Sequence, residues 1–251
     1  MRPSLLYNPR VLIERLAIAS QRRRRREPLR GTPAERLALG HLDSLELLQM
    51  ISPAPTVIYD IGANVGTWTC LAKSLFPKAQ VEAFEPLSVH GAQFSDWTRS
   101  WSPEIRLHSV ALGSETGVSE MIVTNVTDAS SLLPLTDTAR TEFKIDESRR
   151  EQVKVAALDS LLSDGRIVPP DLIKLDVQGY ELHVLRGGTR CLQTARWVLA
   201  EVSFKRFYAG QPLFHEIAAF LSDHNFHVHA FGASLPTGAP ASQADVLFKR
   251  G

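Results

Sequence analysis

Four carboxylates, Asp60, Glu85, Asp176 and Glu201, each follow or close a short apolar run in this 251-residue chain. Asp60 opens the pattern Asp60-x-Gly62-Ala63-Asn64-x-Gly66. This pattern follows Val57-Ile58-Tyr59 and precedes Trp68, Leu71, Ala72 and Leu75 at helical spacing. A buried strand, a tight glycine turn and a helix in that order set a small ligand against the helix N-terminus. A carboxylate at the strand tip repels a pyrophosphate but suits a cationic amino acid end or a sulfonium. The glycines also miss the dinucleotide fingerprint, which would need glycine where Asn64 and Thr67 stand. Asp60, Gly62, Ala63, Asn64 and Gly66 are therefore expected to form a loop for S-adenosylmethionine rather than for a nicotinamide cofactor.

Glu85, next to Pro86, ends the following apolar run about 20 residues past the loop, where an acid can accept hydrogen bonds from both hydroxyls of a ribose. The plainer alternative is an acid in a surface turn before proline. Asp176 ends Leu172-Ile173-Lys174-Leu175, which should carry it to the carboxyl edge of a sheet and close to Asp60 if the two strands pair. Its alternative role is to cap a helix beginning near Gly179. Glu181 suits either the first helical turn or catalysis, and Glu201 closes a further strand that points at the same cleft. His108, His183 and His229 have no spaced partner and read as packed or solvent-facing. No H-x-E, C-x-x-C or H-E-x-x-H pattern occurs, which argues against a zinc enzyme, and no metal is expected. The G-x-S-x-G elbow and the phosphate-binding G-x-x-x-x-G-K-[ST] loop are missing too.

The elements that must position these groups alternate from Thr56 onward. Strands are expected at Val57–Ile61, Gln80–Phe84, Ile105–Ala111, Leu172–Asp176 and Arg196–Val202, with a helix over Ser88–Trp101 that faces Phe94, Trp97 and Trp101 to a core. Such alternation implies a parallel sheet with right-handed crossovers. Val118–Thr124 and Val153–Ala157 read as extra strands around a polar insertion, Asn125–Gln152. Phe226–Phe231 and Asp245–Lys249 read as a closing antiparallel pair. Residues 1–55 form the expected N-terminal extension: a helix over Ser4–Ser20, a linker through Arg22–Arg26 to Pro33, and a second helix over Pro33–Met50. Residues 56–251 form the expected main domain.

Hydrophobic content of 44% supports a sizeable core, and 22% charged residues is ordinary for a water-exposed fold. The net charge of +1 hides an asymmetry. Of 28 basic and 27 acidic residues, ten Arg and five acids precede Thr56, so the remaining 18 and 22 leave the body at −4. An acidic body argues against broad nucleic-acid binding. The Arg22–Arg26 run reads as a solvated charge run, with weak contact to an anionic surface as the alternative. Cys70 and Cys191 lack metal-ligand spacing and read as buried reduced thiols. No apolar run is long enough to span a membrane, and Arg10, Glu14 and Arg15 interrupt any secretion signal, so the expected location is the cytoplasm. The sequence specifies no oligomeric state.

Together, DIGANVG, EAFEP, SVALGSETG, SSL, ALDSLL, LIKLDVQGYELHVLRGG and the terminal ADVLFKR resemble the FkbM-type S-adenosylmethionine-dependent methyltransferases, over roughly Thr56 to Arg250. The resemblance implies a class I methyltransferase fold, α/β and Rossmann-like, with a mainly parallel seven-stranded sheet and an antiparallel C-terminal hairpin. It implies O-methylation of a hydroxyl on a sugar, glycolipid or secondary metabolite. It places Asp60, Gly62, Asn64 and Gly66 at the methionine part of the cofactor, Glu85 with Pro86 at the ribose, and Ser109, Val110 and Ala111 near the adenine. Asp176 would lie beside the sulfonium and the incoming hydroxyl, with Asp176 or Glu201 as base. One position departs: the family usually reads D-V-E-G where this chain has Asp176-Val177-Gln178-Gly179. Gln178 cannot take a proton as a carboxylate would. A non-catalytic cofactor-binding module and a nicotinamide dehydrogenase are the alternatives.

Overall fold

A computed structural model describes residues 26–232 and 242–251; the expected Ser4–Ser20 helix and Arg22–Arg25 lie outside them. Ten strands alternate with eight α-helices among the described residues. The strands are β1 (Val57–Ile61), β2 (Gln80–Phe84), β3 (Ile105–His108), β4 (Ala111–Leu112), β5 (Gly117–Thr124), β6 (Glu147–Ala156), β7 (Leu172–Leu175), β8 (Trp197–Ser203), β9 (Phe226–Phe231) and β10 (Gln243–Arg250). The helices are α1 (Leu45–Gln49), α2 (Thr67–Leu75), α3 (Gly91–Thr98), α4 (Asp137–Phe143), α5 (Leu158–Ser163), α6 (Glu181–Arg186), α7 (Thr189–Thr194) and α8 (Phe214–Asp223).

The main sheet has seven strands in the order β3-β2-β1-β7-β8-β10-β9. β3, β2, β1, β7 and β8 run parallel, while β10 is antiparallel to both β8 and β9. The central strands are buried along nearly their whole length and apolar except at Asp60, Lys174 and Glu201 and the terminal Ser203, as expected for a sheet covered on both faces. From β1 the chain winds outward through β2 and β3, then returns to β7 on the other side. The β1/β7 junction is therefore the switch point where a crevice opens at the strand ends.

Two expectations about elements need correcting. Ile105–Ala111 is not one strand: Val110 N–H bonds back to His108 O at 2.9 Å, ending β3, and Ala111–Leu112 joins a separate small sheet of order β4-β6-β5. Nor is Pro33–Met50 one helix. It forms 3₁₀ turns at Pro33–Arg36 and Leu39–Leu42, then the five-residue α1. Leu37, Leu42, Leu45, Leu47 and Leu48 are all buried, more than one face of a straight helix could cover, so the backbone breaks to bury them. They share a core with Cys70, Leu71 and Ala72 of α2 and with Val81, Leu172 and Leu199 of the sheet.

Candidate active site

The glycine loop after β1 has a backbone that few residues can adopt. Gly62 and Gly66 have φ of +78° and +86°, and Asn64 has +47°. A Cβ at Gly62 would stand 1.8 Å from the carbonyl oxygen of Asp176, so the loop and the β7 tip can meet only with glycine there. Phe84 O accepts from Gly62 N–H at 3.1 Å and from Ala63 N–H at 3.0 Å, tying the loop to the end of β2. Gly66 then starts α2, with its Cα against Phe94.

Glu85 lies next in this frame, buried, with both oxygens already oriented. Asn64 N–H donates to Oε2 at 3.0 Å and Leu87 N–H to Oε1 at 2.8 Å. A carboxylate held by two backbone donors keeps free lone pairs for further ones. Around it Phe84, Pro86, Leu87, Val110, Ala111, Leu112 and Met121 wall a largely apolar pocket. Within the walls, His90 Nδ1 and Asn64 Oδ1 are buried without a hydrogen-bond partner. His90 Nδ1 stands 3.4 Å from Glu85 Oε1 without bonding to it. An apolar slot with an oriented carboxylate and unpartnered polar atoms fits an adenosine: a flat base for the walls and a diol for the acid. Ser109, expected near the adenine, is exposed and lines neither this pocket nor the adjoining cleft.

The pocket meets that wider cleft at Gly62, Asn64, Thr127, Asp128 and Asp176. Here the structure brings three predicted carboxylates to adjacent strands and adds a cation that sequence reading overlooked. Asp176 N–H extends the β1–β7 ladder to Ile61 O at 3.1 Å, which places it beside the loop. Lys174, two residues earlier, reaches Asp60 Oδ1 at 3.3 Å, Asp176 Oδ2 at 3.4 Å and Gly62 O at 2.9 Å. Burial opposes the charge on Lys174, but Asp60 and Asp176 outweigh it and raise its pKa above the ordinary lysine value. Asp60, expected to face the ligand, is fully buried and lines neither cavity. Its Oδ2 accepts from Thr69 Oγ1 at 2.5 Å. Its charge is spent beneath the loop because unpaired it would be costly at that depth.

Asp176, by contrast, has a side chain 36% exposed to the cleft. Glu201 on β8 faces it and pairs in register with Asp245 on β10. Burial, then Asp176, Asp245 and Glu181, push Glu201 well above the ordinary carboxylate range. Burial likewise raises Asp245 to about 6, although Ser44 Oγ donates to its Oδ2 at 2.9 Å. Glu181, buried at the start of α6, is pushed up to about 7, chiefly by burial. It accepts from Val177 N–H at 3.2 Å and Gly179 N–H at 3.0 Å, so it braces the turn after β7 from behind. The site thus combines one solvent-facing carboxylate, a buried acid favouring its proton and a lysine, an arrangement able to accept a proton from a bound hydroxyl. Among the described residues no group of three or more His, Cys, Asp or Glu side chains is arranged to hold a metal ion.

A parallel sheet of order 3-2-1-7-8 closed by an antiparallel pair, with its pocket at the β1 switch point, is the fold of the class I methyltransferases. Residues 60–228 match the methyltransferase FkbM domain, and the chain belongs to that family. It is 30% identical over 213 residues to the 2-O-methyltransferase NoeI of Sinorhizobium fredii, covering 80% of this chain and 84% of that protein. It is 28% identical over 163 residues to the hexuronic acid methyltransferase AglP of Haloferax volcanii, covering 65% of this chain and 62% of that one. A methyltransferase FkbM structure from Methylobacillus flagellatus superposes with a TM-score of 0.52 at 13% identity, covering 90% of this chain and 59% of that one. The fold agrees, and the match spans about three fifths of the Haloferax and Methylobacillus chains.

Proposed function

We propose that the protein is an S-adenosylmethionine-dependent O-methyltransferase acting on a hydroxyl of a sugar, or of a lipid or secondary metabolite that carries one. The observation that carries this reading is the junction at Asp176: an apolar slot holding an oriented carboxylate opens, at that residue, into a cleft lined by acids. The names of two relatives, a 2-O-methyltransferase and a hexuronic acid methyltransferase, support a sugar hydroxyl as acceptor. Family membership leaves the nicotinamide alternative without support.

In this reading Glu85 holds the ribose diol and Val110, Ala111 and Leu112 pack the adenine. The Gly62–Gly66 loop receives the methionine part, and Asp60 acts from below by fixing Thr69 and Lys174. When bound, S-adenosylmethionine supplies a methyl group already activated by a sulfonium that leaves as a neutral thioether. The protein then has two tasks, to hold the acceptor oxygen in line and to remove its proton. Asp176, exposed to the cleft and paired with Lys174, takes that proton. Glu201, across the cleft, favours its protonated form and hydrogen-bonds rather than competes as a base. The acceptor lies in the cleft bounded by residues 41–44, 125–128 and 243–245.

Calorimetry with S-adenosylhomocysteine, followed by labelled S-adenosylmethionine against a panel of glycosides with mass spectrometry of the product, tests the proposal. Micromolar binding and an added methyl on a sugar oxygen are expected; absence of any affinity for S-adenosylhomocysteine overturns it. Asp176→Asn should leave that affinity within about threefold while cutting turnover by ~100-fold or more.

A further inference from the structure

The side chain between the two candidate acids is Gln178, and its amide is fully engaged. Nε2 donates to Asp176 Oδ1 at 2.7 Å and to Glu201 Oε2 at 3.1 Å, one N–H to each. On the other side, Oε1 lies 3.0 Å from the hydroxyl of the buried Tyr208, which also lies 2.9 Å from Ala129 O. This orientation aims both amide N–H groups at the carboxyl groups, whereas the reverse would set the amide oxygen against the charged Asp176. The single Tyr208 O–H hydrogen is shared between Gln178 Oε1 and Ala129 O. The backbone is equally committed. Gln178 has φ of +53°, and its carbonyl accepts from Ser131 Oγ at 2.7 Å. A non-glycine residue in that region persists only where surrounding contacts hold it.

We propose that Gln178 is the positioning residue of the proton-accepting group: it binds Asp176 and Glu201 into one unit in which Asp176 carries the charge and Glu201 the proton. This rests on the methyltransferase reading for its reaction, but its geometry stands on this chain's own residues. Asp176 has Lys174 and solvent on its other face. Glu201 has Asp245 beside it on β10, Glu181 and Tyr208 behind the turn, and Gln243 Nε2 at 3.2 Å from Oε2. Asp43 and Asp128 stand further out on the cleft wall. Asp176 and Glu201 face each other and share Asp245 and Glu181 as acidic neighbours. Asp176, however, has Lys174 at 3.4 Å and solvent beside it, whereas Glu201 is buried and Lys174 is the least of the influences on it, so the charge belongs on Asp176. An amide is suited to the middle position because it donates twice and adds no charge. During turnover the hydroxyl proton passes to Asp176 and returns to solvent once product leaves, and Gln178 keeps both of its hydrogen bonds throughout.

The isosteric Gln178→Glu variant tests this with little risk to folding. It substitutes an oxygen for the double donor and sets three carboxyl groups within hydrogen-bond reach. The acidic limb of kcat should then move up by about one pH unit or more, as for neighbouring carboxylates that cannot all ionise. Turnover at pH 6.5 should fall at least ~10-fold against wild type, with a smaller loss at pH 9 and with S-adenosylhomocysteine affinity within about threefold. Infrared titration of the cofactor-free protein supplies a second readout, in which Gln178→Glu should show one more protonated carboxyl at pH 7 than wild type. Gln178→Asn retains the amide and tolerates positive φ but is one methylene too short. It should lower kcat about tenfold and leave KM for S-adenosylmethionine unchanged. An unmoved limb together with an unchanged infrared titration overturns the proposal. Wild-type protein that binds no S-adenosylhomocysteine overturns the cofactor reading instead, and the infrared result still judges Gln178.

Discussion

Glu85 is held by the backbone N–H groups of Asn64 and Leu87, so its orientation is set before any ligand arrives. Its replacement by glutamine puts a donor where one of those N–H groups points, and only one oxygen remains to accept. Glu85→Gln is therefore expected to weaken S-adenosylhomocysteine binding by ~10- to 100-fold in calorimetry, the loss of one or two charge-assisted hydrogen bonds. Glu181 is a different case, a buried acid whose value is raised from 4.5 to about 7 by burial. Folding then favours its protonated form. The stability this contributes is complete below pH 4.5 and fades as pH rises through about 7. Glu181→Gln retains an acceptor for Val177 and Gly179 without the titration. Urea unfolding should show the variant gaining on the order of 2–3 kcal/mol over wild type at pH 8, with no gain at pH 4.5. The types and spacing of Asp60, Glu85 and Asp176 were legible because each sits at the end of an apolar run. Lys174 was hidden inside such a run and reads from sequence as one more strand residue.

At the scale of elements, the glycine loop and the tip of β7 form one joint. The carbonyl of Asp176 occupies the space a side chain on Gly62 would need, and Lys174 Nζ bonds Gly62 O at 2.9 Å across it. Gly62→Ala should therefore fail twice, through its positive φ and through a contact of 1.8 Å with backbone. A loss above ~2 kcal/mol in chemical denaturation is expected, together with loss of detectable S-adenosylhomocysteine binding. The glycine was predictable from the turn, but its neighbour was not, since Asp176 lies 114 residues along the chain. Strand limits were legible where one apolar run makes one strand, as at Gln80–Phe84. They were not legible at Ile105–Ala111, where a turn at His108–Val110 splits one run between two sheets.

For the whole molecule, Leu29, Leu37, Leu42, Leu45, Leu47 and Leu48 insert into the same core as α2 and one face of the sheet. Leu48 is completely buried there. Leu48→Ala should lower stability by ~2–5 kcal/mol and shift a single unfolding transition, rather than release a separate, weaker one, when fluorescence and circular dichroism are followed together. No helix among the described residues is long and apolar enough to cross a membrane. Composition and periodicity alone determined the α/β class, the parallel sheet with its antiparallel closing pair and the strand, glycine turn and helix that begin at Val57. These are written in local patterns of two to four residues, and local sterics and burial enforce them. Tertiary structure alone decided that Asp60 is buried and neutralised by Lys174, that Asp176 is left facing the cleft, and that one glutamine joins two acids from different strands. Those relations depend on which strand tips become neighbours and on how much water remains between them. Both are set by the packing of the whole sheet and by no short stretch of the chain.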